Sequence, residues 1–205
     1  MRKFNFSQWV ATLLLATPFL ASASTNLVTN GSFEANAQAN PSWNIYSNLI
    51  GWTGGNAGIE LRNNVAGSAY DGQNYVELDT TANSSISQSF NTVLGQAYVL
   101  SFAYSPRERV AASSNGIRVL WNGADLGTFT GVGAASGNVW QVETLNLFGT
   151  GGLTTLSFQA VGLSESYGGS LDSINVTAAI PEPETYALML AGLSAMVFVA
   201  RRRKA

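Results

Sequence analysis

The central part of the chain alternates apolar and polar residues in short stretches, with a period of two. The alternation is clear in residues 58–62 and 74–79 and looser in residues 85–90, while residues 97–104 are more continuously apolar, as expected of a central strand. No segment of residues 24–180 has the 3.6-residue period of an amphipathic helix. Short strands separated by turns rich in Gly, Asn and Ser predict an all-β fold, a single jelly-roll-like β-sandwich.

Two hairpins are predicted in the second half of the sequence. Residues 117–121 and 126–130 flank Asn122-Gly123, a dipeptide typical of a two-residue hairpin turn. Residues 139–148 and 153–161 flank a glycine-rich linker and predict a second hairpin. A last strand is predicted over residues 170–177, which closes the domain.

The first 23 residues have the pattern of a secretory signal peptide. Arg2 and Lys3 precede an apolar run over residues 9–20, and the small residues 21–23 (Ala-Ser-Ala) follow it. The pattern predicts a signal-peptide helix over residues 1–23, export by the Sec machinery and cleavage after Ala23. The alternative is a retained membrane anchor, but the run is short and Pro18 interrupts it.

The C-terminal end has three parts: a polar, proline-containing segment, an uncharged apolar run over residues 186–200, and a basic tail over residues 201–204. In lipid, such a run must be helical in order to satisfy its backbone polar groups. Fifteen residues of helix are about 22 Å long, short of the roughly 30 Å hydrocarbon core. We therefore predict a short transmembrane helix with a cytoplasmic basic tail and the β domain on the opposite side.

Pro181, Glu182 and Pro183 come first in this end, then the apolar run, then the arginine cluster of Arg201, Arg202 and Arg203. In this order, residues 180–205 resemble the PEP-CTERM sorting signal. It implies an exosortase as partner, a Gram-negative host and transient anchoring in the inner membrane with the domain on the periplasmic side. It further implies a final location at the cell surface or in the extracellular matrix of a biofilm. An ordinary membrane tail predicts the same topology without removal of the tail.

The composition of the segment between these two signals limits its chemistry. Residues 24–179 have the length of a single domain. The chain contains no Cys and no His, which excludes disulfides, Ser-His-Asp and Cys-His catalysis, and the common zinc sites. The segment has four Arg, no Lys and ten acidic residues, a net charge of −6. Such a domain is a poor match for nucleic acid, whose phosphates need clustered cations.

A second resemblance covers most of residues 26–177. The opening residues 26–34 (NLVTNGSFE), Gly51-Trp52, residues 72–79 and the closing residues 171–176 are similar to galactose-binding-like β-sandwich domains, which include several carbohydrate-binding modules. The resemblance implies a β-sandwich. The group is broad in function, so the fold alone does not define a ligand.

The same resemblance implies a structural calcium ion held by Glu34 in the opening motif and Asp172 in the closing strand. The first and last strands are commonly neighbours in such sandwiches, so the two carboxylates can meet, and calcium accepts carboxylate and carbonyl oxygens. The alternative is that Glu34 caps the turn at Asn30-Gly31, while Asp172 accepts hydrogen bonds from nearby backbone amides.

A carbohydrate surface is expected where aromatic rings and Arg side chains occur together in loops. Residues 104–109, where the chain leaves the strand over residues 97–104, contain Tyr104, Arg107, Glu108 and Arg109, which combine one ring, two guanidinium groups and an acid. Tyr70 and Tyr167, in loop-like sequence, complete the predicted set of ligand-binding residues: Tyr104, Arg107, Arg109, Tyr70 and Tyr167. The alternative is that Arg107 and Arg109 pair with Glu108 or neighbouring acids on a solvated loop.

These observations favour an exported, non-enzymatic protein that binds extracellular polysaccharide. A structural or adhesive surface protein without a glycan ligand is the first alternative. A glycan-active hydrolase is the second, with Glu60, Glu77 and Asp79 as carboxylates. Alternation places Glu77 and Asp79 on one face of a strand, where alternating acids usually form its solvated face.

Overall fold

The structure, a computed structural model, describes residues 25–179 and 183–202. The predicted signal peptide, Pro181, Glu182 and Arg203 lie outside the described residues. The strands belong to one compact unit, Ser24–Ile180, and the helix to a second. The elements are β1 (Ser42–Tyr46), β2 (Asn48–Leu49), β3 (Trp52–Gly54), β4 (Ile59–Asn63), β5 (Asn74–Glu77), β6 (Ser85–Thr92), β7 (Ala97–Ser105), β8 (Gly116–Trp121), β9 (Ala124–Phe129), β10 (Gln141–Phe148), β11 (Gly152–Val161), β12 (Ser170–Ala178) and α1 (Pro183–Arg202).

The twelve strands form two antiparallel sheets of six. Sheet A has the order β1-β4-β5-β12-β7-β10 and sheet B the order β2-β3-β6-β11-β8-β9. Apolar residues that alternate along the strands fill the space between the sheets, and Trp52 lies there against Phe33 and Phe158, at ring-centroid distances of 5.8 and 6.5 Å. The predicted all-β sandwich is therefore confirmed, while its jelly-roll class stays a prediction.

The two ends of the domain are neighbours. Asn26 forms a β-bridge with Thr177, and the N–H of Leu27 donates to the carbonyl of Val176 at 2.8 Å. Thr29 and the side chain of Gln88 on β6 exchange two hydrogen bonds of 2.7 and 2.9 Å. The first described residues thus bind one strand of each sheet.

The first predicted hairpin is confirmed, whereas the second is wrong. β8 and β9 pair through Asn122 and Gly123, both with positive φ (49° and 84°), as the tight turn requires. β10 pairs instead with β7 in sheet A, and β11 pairs with β6 and β8 in sheet B. The glycine-rich linker therefore crosses from one sheet to the other, since a period of two in the sequence does not determine which strands pair.

Helix α1 contains the predicted segment 186–200 and ends at the basic residues Arg201 and Arg202. Within residues 25–179 and 183–202, no helix is both long enough and apolar enough to cross a membrane. The prediction of a transmembrane helix is therefore not confirmed, since α1 forms but its uncharged run has only fifteen residues.

Candidate functional site

The outer face of sheet A carries a buried cluster of charged side chains. Glu60 and Arg62 lie on β4 and Glu77 lies on β5, with Glu60 and Glu77 directly opposite in register. Leu61 and Val76, which alternate with them, belong to the hydrophobic core, so the three charged side chains lie on the other face of the sheet. The Nε of Arg62 donates to Glu60 at 2.6 Å, and its Nη1 lies 3.3 Å from Glu77.

Arg107 joins this cluster from the loop after β7. Its Nη1 donates to Oε2 of Glu77 at 2.7 Å, and the N–H of Gly168 donates to Oε1 at 3.1 Å. Burial raises the pKa of Glu77 to about 7, although the positive charges of Arg62 and Arg107 act in the opposite direction. Two acids and two guanidinium groups thus make up a compact network beneath the loops.

A pocket of about 370 Å³ lies at the outer end of this network. The Cζ of Arg107 lies 5.0 Å from the ring centroid of Tyr167, which is 50% exposed. The pocket is lined by Arg107, Glu108, Arg109, Val110, Ala111, Glu165 and Tyr167. Three of the predicted ligand-binding residues, Arg107, Arg109 and Tyr167, therefore come together here, and we call this site the Arg107–Tyr167 pocket.

Backbone contacts between two loops hold one wall of the pocket. Gly133 donates its N–H to the carbonyl of Val110 at 2.9 Å. Arg109 donates its own N–H and its Nε to the carbonyls of residues 134 and 135, both at 2.8 Å. The loop over residues 131–138 therefore fixes the backbone on which Arg109 lies.

Neither guanidinium group pairs with Glu108. Arg107 binds Glu77, an acid from another strand, and the Nε of Arg109 binds a backbone carbonyl. Glu108 instead accepts the N–H of Gly137 at 2.6 Å. The pairing with Glu108 that the solvated-loop alternative offered is absent from the described contacts, while Arg107 does pair with a buried acid.

Tyr104 is placed away from the pocket surface. It is 2% exposed in the core, and its hydroxyl donates to the carbonyl of Asn115 at 2.7 Å. Burial raises its pKa above the usual range. The two-residue spacing from Phe102, another core residue, was the signal in the sequence that places Tyr104 on the inner face of β7. Its ring therefore cannot contact a ligand at the surface.

Tyr70 lies in a separate aromatic cluster. Its ring centroid is 6.3 Å from that of Trp140, which is 5.7 Å from that of Tyr75. The indole Nε1 of Trp140 donates to the carbonyl of Ser68 at 3.0 Å, and Tyr70 is half exposed. Trp140 was not predicted as a site residue, because its position at the start of a strand did not distinguish core from surface.

The carboxylates that the hydrolase interpretation required are buried. Glu60, Glu77 and Asp79 are between 0 and 4% exposed, so the expectation that alternating acids on this strand face water is wrong. The physical reason is that loops cover this face: Glu165 donates its N–H to Asp79 at 3.0 Å, and Gly168 donates to Glu77. A polysaccharide cannot contact these acids in this arrangement.

Glu34 and Asp172 hold the two ends of one loop before β5. Glu34 accepts the N–H groups of residues 73 and 74 at 2.7 and 2.6 Å, and not those of the Asn30-Gly31 turn. Asp172 is buried and accepts the N–H groups of residues 70 and 71 at 2.8 and 2.9 Å, which matches the alternative proposed for it. The structure therefore brings both carboxylates to the loop over residues 70–74.

The carboxylate oxygens of Glu34 and Asp172 meet the needs of a calcium ion only in part. Burial raises the pKa of Asp172 to about 7, and the three N–H groups that it accepts, including that of Ser173, act in the opposite direction. In the part of the chain that the structure describes, no three acidic or other ligating side chains gather around one point. Calcium at Glu34 and Asp172 stays a prediction.

The sandwich is similar to several solved structures. One is the Stig cyclase Fisc from Fischerella sp. TAU, in complex with an indole compound, with a TM-score of 0.59 and 13% identity over 78% of this chain and 100% of that chain. A family 35 carbohydrate-binding module from Clostridium thermocellum has a TM-score of 0.46 and 17% identity, over 67% of this chain and 99% of that one. The first of these likenesses shows the fold and nothing of the activity.

The sequence places the chain in a family. Residues 23–177 match the family described as "Protein of unknown function (DUF642)", and the protein belongs to it. Residues 179–204 match the PEP-CTERM protein-sorting motif, which confirms the sorting motif predicted from the sequence.

Two curated relatives match about three quarters of this chain. The multifunctional-autoprocessing repeats-in-toxin of Vibrio cholerae serotype O1 is 29% identical over 160 residues, which are 75% of this chain. Its counterpart from Vibrio vulnificus is 32% identical over 150 residues, or 73% of this chain. The match spans only 3% of the length of each relative. It therefore relates this chain to one small part of those proteins.

Proposed function

We propose that this is an exported, non-enzymatic protein whose β-sandwich binds extracellular polysaccharide at the Arg107–Tyr167 pocket. The observation that carries the proposal is the position of Arg107 between Glu77, at 2.7 Å, and the ring of Tyr167, at 5.0 Å. A guanidinium group held on both sides loses little side-chain freedom when a ligand binds. A half-exposed ring beside it offers the flat surface on which a pyranose packs.

The polar groups of the pocket suit a ligand with hydroxyl and carboxylate groups. A guanidinium group has five N–H donors, of which Glu77 takes one on Arg107 and a backbone carbonyl takes one on Arg109. Glu108 and Glu165 accept hydrogen bonds from Gly137 and from the hydroxyl of Ser114, respectively. The donors that remain on the two arginines are therefore the groups that would bind a sugar, and an acidic sugar best.

The sorting motif supplies the cellular context of the proposal. A PEP-CTERM motif implies exosortase-dependent sorting of an exported protein. We place the domain on the periplasmic side of the inner membrane first and at the cell surface or in the biofilm matrix after processing. Calcium bound by Glu34 and Asp172 would stabilise the fold in that setting, with no part in catalysis.

The proposal is tested by measuring binding of the mature protein to a panel of acidic and neutral exopolysaccharides. We expect Tyr167→Ala to weaken binding roughly tenfold, since the lost stacking surface is worth about 1 kcal/mol or more. Tyr70→Ala is the matched control, because Tyr70 has the same 50% exposure in a different cluster. Binding that Tyr70→Ala weakens and Tyr167→Ala leaves intact would move the site to the cluster of Tyr70 and Trp140.

A second pair of variants tests the charge of the pocket. Arg109→Ala removes an exposed guanidinium group and should weaken binding to acidic polysaccharides more than to neutral ones. Arg118→Ala, on β8, removes a guanidinium group that binds Gln159 and should leave binding unchanged. Absence of binding to every glycan, with calcium and with a chelator, would favour a structural or adhesive surface protein without a glycan ligand.

The same calcium and chelator conditions test the predicted ion. Bound calcium should raise the thermal unfolding midpoint of the mature protein, and Asp172→Asn should remove that rise. A midpoint that calcium does not change would contradict calcium binding at this point.

A further inference from the structure

One end of the β domain exposes four large apolar side chains. Val93 and Leu94 lie in the loop between β6 and β7, Phe148 ends β10, and Leu153 lies at the start of β11. Their exposed fractions are between 66 and 77%. We call these four residues the apolar apex.

Hydrogen bonds between the two loops hold the four residues at the same end of the domain, with Phe148 on the outer face of sheet A and Leu153 on the outer face of sheet B. Gly95 donates its N–H to the carbonyl of Gly149 at 2.9 Å, and Gly149 donates its own to the carbonyl of Gln96 at 2.8 Å. The loop of Val93 and Leu94 is thereby fixed against the linker that follows Phe148. Several large apolar side chains exposed at one end of a domain commonly mark an interaction surface, and these four are among the most exposed apolar side chains of the domain.

The segments that build the apex contain no charged residue. The sequence has none in residues 80–106 and none in residues 144–164, although the domain has a net charge of −6. The turn of the neighbouring hairpin reaches this end, because the side chain of Asn122 donates to Thr150 at 3.4 Å. The nearest acid in that hairpin is Asp125, three residues further along the chain. The loops that form the apex therefore carry no charged side chain.

The chain leaves the sandwich beside the apex. Phe148 is paired with Ala97 in the register of β10 and β7. The N–H of Ala179 donates to the carbonyl of Ala97 at 2.9 Å. The sorting motif begins at residue 179, so the apolar surface and the start of the sorting tail are at the same end of the domain.

We propose that the apolar apex is a membrane-contacting surface, which inserts into the headgroup region of the lipid bilayer at which the protein is sorted. Binding of this kind grows with the apolar area buried at the interface. Anionic headgroups repel an acidic domain, and loops without charged side chains can approach them at lower cost than loops that carry acids. The proposal rests on the sorting motif and the geometry of the apex, and is independent of glycan binding.

The absence of cysteine from the sequence allows a direct test. The full mature chain carrying Leu94→Cys is labelled with an environment-sensitive fluorophore and reconstituted with vesicles of phosphatidylethanolamine and phosphatidylglycerol. We expect a blue shift of the emission on reconstitution, and quenching of the label by nitroxides attached to the lipids.

Leu163→Cys is the matched control. Leu163 is 55% exposed and follows the other end of β11, about 30 Å from Leu153 for a strand of ten residues. Its label should show neither the shift nor the quenching. Equal quenching at both positions would overturn the proposal, because it would mean contact with lipid that is not specific to the apex.

A charged variant tests the same surface without a label. Leu94→Glu with Phe148→Glu should reduce the protection of the apex loops from proteolysis in vesicles at least roughly tenfold, while the thermal midpoint in solution stays near that of the wild type, since both side chains are exposed.

Three results of the label experiment would overturn the proposal. The label at position 94 could already be in an apolar environment before vesicles are added. The blue shift of its emission could need a second copy of the chain, or could appear only when the sorting enzyme is present.

Discussion

At the scale of single residues, the site depends on Glu77. Its side chain is fully buried, with Arg62 and Arg107 on one oxygen and the N–H of Gly168 on the other. Transferring a carboxylate from water to such a position costs several kcal/mol, which ion pairs offset only in part. Glu77 therefore positions Arg107 for the pocket at a cost to the stability of the domain when it is ionised.

This cost predicts how stability changes with pH. The pKa of Glu77 is about 7 in the folded protein and near 4.5 in a free side chain, so between these values the folded chain holds a proton that the unfolded chain has lost. The stabilisation of the folded protein by this proton is fully present below about pH 4.5 and is lost as the pH rises through about 7. We expect the thermal midpoint of the wild type to fall over this window more steeply than that of Glu77→Gln.

Glu165→Gln is the control for that comparison, because it removes an exposed carboxylate from the same pocket. Its midpoint should follow the wild-type pH dependence. Parallel curves for the wild type and Glu77→Gln would show that Glu77 stays ionised across the window and that the two arginines outweigh its burial.

At the scale of elements, the sequence predicted where most strands lie. Alternation identified the strands from β4 to β12, and the pattern is clearest in the longer ones, such as β11, where every second residue from Thr154 to Ala160 is buried. Strands β1 to β3 were not predicted from the sequence. The short β3 has three residues, and β1 has Trp43 and Ile45 on an exposed surface, so neither shows a buried stripe.

The partners of the strands, and what covers them, could not be predicted in the same way. A period of two assigns residues to two faces, but it does not say which strand pairs with β10 or which loop covers β5. Glu77 and Tyr104 show the consequence: both were placed on the correct strands, yet one is covered by a loop and the other faces the core. Arg107 and Tyr167 meet only because their loops follow β7 and precede β12, which are neighbours in sheet A.

The contact between the two loops of the pocket gives a prediction at this scale. A Cβ at Gly133 would lie on the carbonyl oxygen of Arg107, so Gly133→Ala must displace one loop from the other. We expect this variant to lose glycan binding and to unfold at a lower temperature. Polysaccharide binding and a thermal melt measure both effects.

Gly131→Ala is the graded control in the same loop, because its Cβ would meet only the ring of Pro106, at 3.0 Å. A small adjustment accommodates that contact, so binding should be largely retained. If Gly133→Ala bound and melted like the wild type, the two loops could not be packed as described.

At the scale of the whole domain, the pocket and the apolar apex lie at opposite ends of the sandwich. β7 begins at Ala97, beside the apex, and ends at Ser105, two residues before Arg107. β11 likewise begins at the apex, where Leu153 is its second residue, and ends four residues before Glu165, which lines the pocket. If the apex rests on lipid as proposed, the glycan pocket faces away from the membrane, where polysaccharide is accessible.

The segment over residues 25–29 gives the last prediction, because it links the two sheets at the start of the domain. Asn26 bonds to Val176 on β12, Thr29 bonds to Gln88 on β6, and Val28 between them is buried. Cleavage after Ala23 would leave this segment intact. A chain that begins at Asn30 should melt roughly 5 to 10 °C below one that begins at Ser24, because it loses the burial of Val28 and the bonds to both sheets.

A chain that begins at Thr25 is the control, and its midpoint should equal that of the chain from Ser24. Asn26→Ala and Gln88→Ala, which each remove the side-chain hydrogen bonds to one sheet, should give intermediate values. If the chain from Asn30 had the same midpoint as the longer chains, residues 25–29 would add nothing to the stability of the domain. The core alone would then hold the sheets together, and cleavage anywhere within residues 25–29 would leave the domain equally stable.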